Sequence, residues 1–133
     1  MKHLSILALA ILTLSVFVAT ADAKNNKPVD KSLDRDLIIE NLMNGVCSDN
    51  LGLRMSSAYL LGEFEAKEAV IPLMRILKQC DDENERIMAA LSLYKIGTGK
   101  SIYAVERAGI FDDSERVRTI CKNLYYDFLL NRQ

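Results

Sequence analysis

From residue 33 onward, apolar side chains return at steps of three and four residues, with almost no alternating stretch, which is the pattern of helices that bury one face. The spacing predicts helices over 33–46, 51–64, 67–78, 83–96, 101–108 and 115–130, and hence an all-α fold. The pattern also repeats. Arg54, Arg86 and Arg118 stand at equal intervals along the chain, and the same step links Asn50, Asp82 and Ser114 before them, Leu61, Leu93 and Tyr125 after them, and Phe64, Ile96 and Phe128 further on. A fixed period of about 30 residues marks a chain built from copies of one supersecondary unit. Asn50, Asp82 and Ser114 fall where a first helix of each unit should begin, and each can accept a hydrogen bond from the open amides of the first turn. Gly97 and Gly99 are expected to break the chain between helices. Gly109 is expected to end the fifth helix, and Ser101 to cap it.

Two segments carry a resemblance to a known family. Leu53-Arg54 through Leu61-Gly62-Glu63-Phe64, followed by Glu68-Ala69-Val70-Ile71-Pro72-Leu73 through Leu77, resembles a HEAT repeat of the short bacterial type also found in phycobilisome lyase proteins. Arg86 through Leu93, with Ile96-Gly97, resembles the first helix again, and Val117-Arg118 through Phe128 begins a third copy. Leu37 to Val46 looks like the second helix of an N-terminal half unit. The resemblance implies a short right-handed α-solenoid of about three HEAT-like helix pairs, with function on an exposed face, the concave side formed by the second helices. It is uninformative about the ligand.

Such units stack because one helix pair cannot bury its own apolar face. Ala58, Leu61, Phe64, Val70, Leu73 and Leu77 are therefore expected in the core, with Ser57, Ala89 and Cys121 as small residues at one repeated contact. Spacing leaves Ile71, Arg75 and Lys78 on an outward stripe of one second helix, and Tyr103 and Arg107 at the matching places of the next. Glu40 and Asn44 continue that stripe toward the N-terminus. Aromatic and arginine side chains together are the composition of binding surfaces, and a solvated face with arginine stems over apolar neighbours is the other reading. The arginine column Arg54, Arg86, Arg118 is expected to be structural, each guanidinium bridging a carboxylate or a helix-end carbonyl, with Asp81, Asp82, Asp112 and Asp113 as neighbours. Tyr126 and Leu129 belong to a C-terminal helix with more apolar surface than one packing face needs. That surface either wraps the end of the stack or docks a partner or a second copy.

Residues 1–23 change the picture of where the chain acts. Lys2 and His3, the apolar run from Leu4, and Ala21-Asp22-Ala23 read as a signal peptide cleaved after Ala23. An uncleaved anchor is the alternative, because the run is nearly long enough to span a bilayer. Residues 24–32 read as a flexible linker and 33–133 as the repeat domain, periplasmic or secreted. The only histidine lies in the leader, so triads, cysteine–histidine pairs and histidine-built zinc sites are closed to the rest of the chain. The net charge is −1, which calls for neither nucleic acid nor, after cleavage, a membrane. Cys47 and Cys80 follow second helices of successive units and could be bridged, although helix spacing near ~10 Å is long for a disulfide. Gly97-Thr98-Gly99-Lys100-Ser101 ends like a phosphate loop but lacks its first glycine and its strand. The expectation is a non-catalytic module in the bacterial envelope that holds a protein or peptide and uses no cofactor or metal. The alternative is an accessory or lyase-like protein assisting an enzyme or binding a small ligand.

Overall fold

A computed structural model describes residues 31–131. The expected leader, its cleavage after Ala23 and most of the linker lie outside those residues. The described chain is all-α, with six helices: α1 (Lys31–Gly45), α2 (Leu51–Glu63), α3 (Val70–Gln79), α4 (Glu83–Ile96), α5 (Gly99–Phe111) and α6 (Glu115–Leu130). A 3-10 turn, Lys67–Ala69, precedes α3.

Three of these helices start by one device. Asn50, Asp82 and Ser114 hold extended backbone, and their side chains accept from the amides of Leu53, Glu85 and Val117, each three positions on. Those amides are among the first-turn donors that a helix cannot satisfy internally, so the cap fixes the start residue. α2, α4 and α6 then form a row, α2 packing on α4 and α4 on α6. α3 packs on α4 and α5, and α5 in turn on α4 and α6. The buried centre follows the repeat: Leu61 and Leu93 on the first row and Leu73 and Val105 on the second are all at 0% exposure. Ser57, Ala89 and Cys121 are buried as well. From Arg35 onward the described residues gather into one compact unit.

Four local expectations are corrected. The fifth helix is longer than its apolar pattern, because Thr98 caps it by accepting from Ser101 N (3.1 Å). Ser101 is buried instead of capping, and its hydroxyl donates to Thr98 O at 2.9 Å. Gly109 does not end the helix either. It lies inside α5 at the crossing with α6, where an added Cβ would stand 3.1 Å from both the backbone N and the Cγ of Lys122. The helix needs a bare backbone there for packing, and it stops only at Asp112. Phe64, expected in the core, is 39% exposed, whereas Ile96 in the same column is 6% exposed. No described helix precedes α2 in the row to cover it.

The ends of α2 and α4 show the same backbone need met in two ways. Gly97 has φ 63°, and Glu65, its counterpart one repeat earlier, has φ 49°. Around Glu65 the amide of Ala66 bonds to Leu61 O (3.0 Å), closing α2 with the left-handed stop that glycine usually supplies. A side chain at such a φ costs about 1–2 kcal/mol. Glu65→Gly is therefore expected to raise stability by up to about 1 kcal/mol once glycine's extra chain entropy is subtracted, and Gly97→Ala to lower it by about 1 kcal/mol. Urea unfolding of both variants checks the opposite signs.

Candidate interaction face

The arginine column is built from the loops upward. Arg54 Nη1 donates to the carbonyls of Ser48 (2.9 Å) and Asp49 (3.0 Å). Arg86 repeats this on Cys80 (2.8 Å) and Asp81 (3.0 Å), and Arg118 on Asp112 (2.6 Å) and Asp113 (3.0 Å). Each guanidinium thus ties down the loop that leads into its own helix, satisfying carbonyls left open where the preceding helix stops. The second edge of the fork reaches the next helix of the row or its loop. Arg54 takes Glu85 at 2.8 and 2.6 Å, and Arg86 takes Asp112 at 3.1 Å through both Nε and Nη2. This two-point geometry is the strong form of a charge-assisted bond. Its hydrogen bond holds the Glu85 carboxyl below the ordinary carboxylate range against the opposing effect of burial. Of the acids expected as partners, Asp112 serves through its carboxylate, Asp81 and Asp113 through their carbonyls, and Asp82 as a helix cap. Glu85 was not among them, since a glutamate in a first helical turn gives no sign of facing backward.

A second set of side chains faces outward. Glu40 and Asn44 on α1, Ile71, Arg75 and Lys78 on α3, and Tyr103 and Arg107 on α5 are all exposed. A groove of about 810 Å³ between α3 and α5 brings Lys78, Tyr103 and Arg107 together with Met74, Leu77 and Phe111, and ends on Asp81 and Asp113. Ile71 and Arg75 lie outside this lining, as do Glu40 and Asn44. α1 does not continue the stripe in register, because Ile39, one repeat before Ile71, is buried at 5% exposure. Phe111 is the residue that sequence reasoning missed. It lies one turn after Arg107, whose guanidinium carbon stands 3.9 Å from the ring centre, an arrangement in which the ring face attracts the cation. The signal was the four-residue spacing, hidden by the early helix end expected at Ala108. Among the described residues four ion pairs occur, and none engages Arg75, Lys78 or Arg107.

The cysteines are free thiols. Cys47 is exposed and Cys80 half-buried in the groove wall, so the bridge considered between them is not formed. Burial, with backing from the Glu85 charge, raises the Cys80 thiol, although an Asp82 backbone hydrogen bond opposes the rise. Cys121 is sealed in the core, and burial, assisted by the Asp112 charge, pushes its thiol up to about 12. Tyr126 and Leu129 on α6 are 60% and 44% exposed. Among the described residues no cluster of histidine, cysteine or acidic side chains could hold a metal ion, and no helix is long and apolar enough to cross a membrane. No protein-family model matches the chain, and no curated protein matches it.

The Arg86–Asp112 pair has side chains 12% and 8% exposed, whereas Arg116 and Glu83 meet at 4.0 Å with 61% and 46% exposed. Removing one partner of a buried pair strands the other charge. Arg86→Ala should lower stability by about 3 kcal/mol and Arg116→Ala by well under ~1 kcal/mol, as read from denaturant midpoints. Glu85 adds a pH term. Because its folded-state pKa is lowered, the stability it contributes is complete above the unfolded carboxylate range near about 4.3. That stability is lost as pH falls below this range through the folded value. Glu85→Gln should flatten the acid limb of the stability curve; an unchanged slope would show that other carboxylates set it.

Proposed function

We propose that the chain is an exported, non-catalytic helical-repeat protein of HEAT-like character that binds an acidic segment of a partner protein in the groove between α3 and α5. The observation that carries this reading is the groove's composition. Two cations of the lining with no carboxylate partner among the described residues, Lys78 and Arg107, stand with Tyr103 at 57% and Phe111 at 61% exposure, and Arg75 lies outside the lining on the same helix as Lys78. Uncompensated cations favour a negatively charged visitor, and exposed rings beside them offer apolar contact area that water does not reward. The arginine already seated over Phe111 needs little further ordering on binding.

Cys80 on the groove wall shares a side-chain hydrogen bond with Glu85, but that carboxylate is held at both oxygens by Arg54, which lowers its basicity. The cysteine on its wall has its thiolate disfavoured by burial, and the nearby carboxylate of Asp112 is engaged by Arg86. Those features support recognition over catalysis. The apolar leader pattern of residues 4–19 and the small residues at 21 and 23 support the exported part of this reading.

Fluorescence anisotropy with short peptides rich in glutamate and carrying one aromatic residue tests the reading. Binding should weaken with added salt and fall about tenfold or more in the double variant Lys78→Glu, Arg107→Glu, with thermal unfolding unchanged because both side chains are exposed. Equal binding by the wild type and the variant, or a preference for basic peptides, would remove this groove as the site.

A further inference from the structure

We infer that a second copy of this chain docks on the outer face of α6 through the outer face of α2, so that copies associate head to tail. The argument rests on the repeat columns and is independent of the α3/α5 groove. Leu53 and Leu60 of α2 recur as Glu85 and Ser92 in α4, and as Val117 and Leu124 in α6. Where an earlier helix of the row lies against this column, it is closed: Glu85 is 5% exposed, Ser92 1% and Val117 0%, and Leu124 is half-buried. Ser92 shows what closes it, since its hydroxyl donates to Ala58 O of α2 at 2.7 Å. In α2 the column has no earlier first helix of the row against it among the described residues; Gly45 of α1 lies beside Leu53, yet Leu53 and Leu60 stand 50% and 39% exposed. Two apolar residues occupy the places that are buried twice elsewhere in the same molecule.

The other end of the row is open in the complementary sense. The face that α2 turns to α4 holds Arg54, Ala58 and Gly62, and the corresponding residues of α6 are Arg118, Lys122 and Tyr126. Tyr126 is 60% exposed. Arg54 and Arg86 each carry a carboxylate of the next helix or its loop, whereas Arg118, among the described residues, donates only through Nη1 to two carbonyls. A copy placed with its α2 where a next first helix would stand sets Leu53 and Ser48, the counterparts of Glu85 and Asp112, beside the vacant edge of Arg118. Lys122 does not block this approach, because its stem lies back against α5 at Gly109. Chain order fits as well. α1 precedes α2 as α3 precedes α4 and α5 precedes α6, so a following copy also supplies the helix that should come after α6. The contact joins two different faces, so it extends copy by copy and does not close as a pair.

The test places a photo-crosslinking residue at Leu60 of the full chain and maps its adducts by mass spectrometry. Adducts with residues 115–130 of another copy are expected. Adducts between two position-60 sites, with residues before Lys31, with another protein, or none at all would overturn the proposal. Sedimentation of Leu60→Glu and Tyr126→Glu separates this from a general loss of stickiness. Each variant alone should be monomeric, because one of the two faces that every contact needs is lost from all copies, and a one-to-one mixture, in which one intact face of each kind remains, should form a capped dimer. A mixture that stays monomeric, with both variants showing wild-type thermal unfolding, would equally overturn it.

Discussion

The structure depends on a guanidinium used at both edges. A helical repeat has two weak places: the carbonyls left open where one helix stops, and the seam where the next unit begins. One arginine per unit serves the first with Nη1 across two loop carbonyls, and in Arg54 and Arg86 the Nε/Nη2 edge serves the second on a carboxylate beyond the seam. Arginine suits this role where lysine would not, because its donors are fixed in a plane and diverge in direction. Apolar burial supplies most of the driving force but is not directional. The arginine column and the three caps turn a general tendency to stack into one particular stacking.

That division explains which parts of the molecule were legible. The helix starts at Leu51, Glu83 and Glu115 followed from side chains that bond their own neighbouring backbone, a relation contained within a single helical turn. The core places of Leu61 and Leu73 followed from periodicity, and Leu93 and Val105 are buried at the same places one repeat on. What escaped needed knowledge of a second helix. Gly109 punctuates the sequence like a stop, yet it lies in a helix because α6 passes close to it. Phe64 and Ile96 are equivalent in pattern and differ in burial because only one has a described helix before it in the row. Glu85 sits in an ordinary first helical turn, and its partner belongs to the preceding unit.

The outward surface was legible as a set of residues but not as a shape. Spacing placed Ile71, Arg75, Lys78, Tyr103 and Arg107 outside, and all five are exposed. Which of them meet depends on how α3 lies on α5, and that contact gathers Lys78, Tyr103 and Arg107 while leaving Ile71 and Arg75 beyond the groove. α1 breaks the column: Ile39 turns inward where its later counterparts turn out. The outward groove is thus the work of two helices, and Lys78 and Arg107 in it take part in none of the ion pairs among the described residues.

The arginine reaches back only five and six positions to its carbonyls, so every unit carries its own fastening close to its own cap. One whole repeat copied into the gene at any point in the pattern would arrive with cap, clamp and core column already in phase. The protein is therefore of a kind whose length can change by whole units with cap and loop clamp kept. The carboxylate across the seam, Glu85 at one junction and Asp112 at the next, belongs to no repeated position and has to be supplied at each new seam.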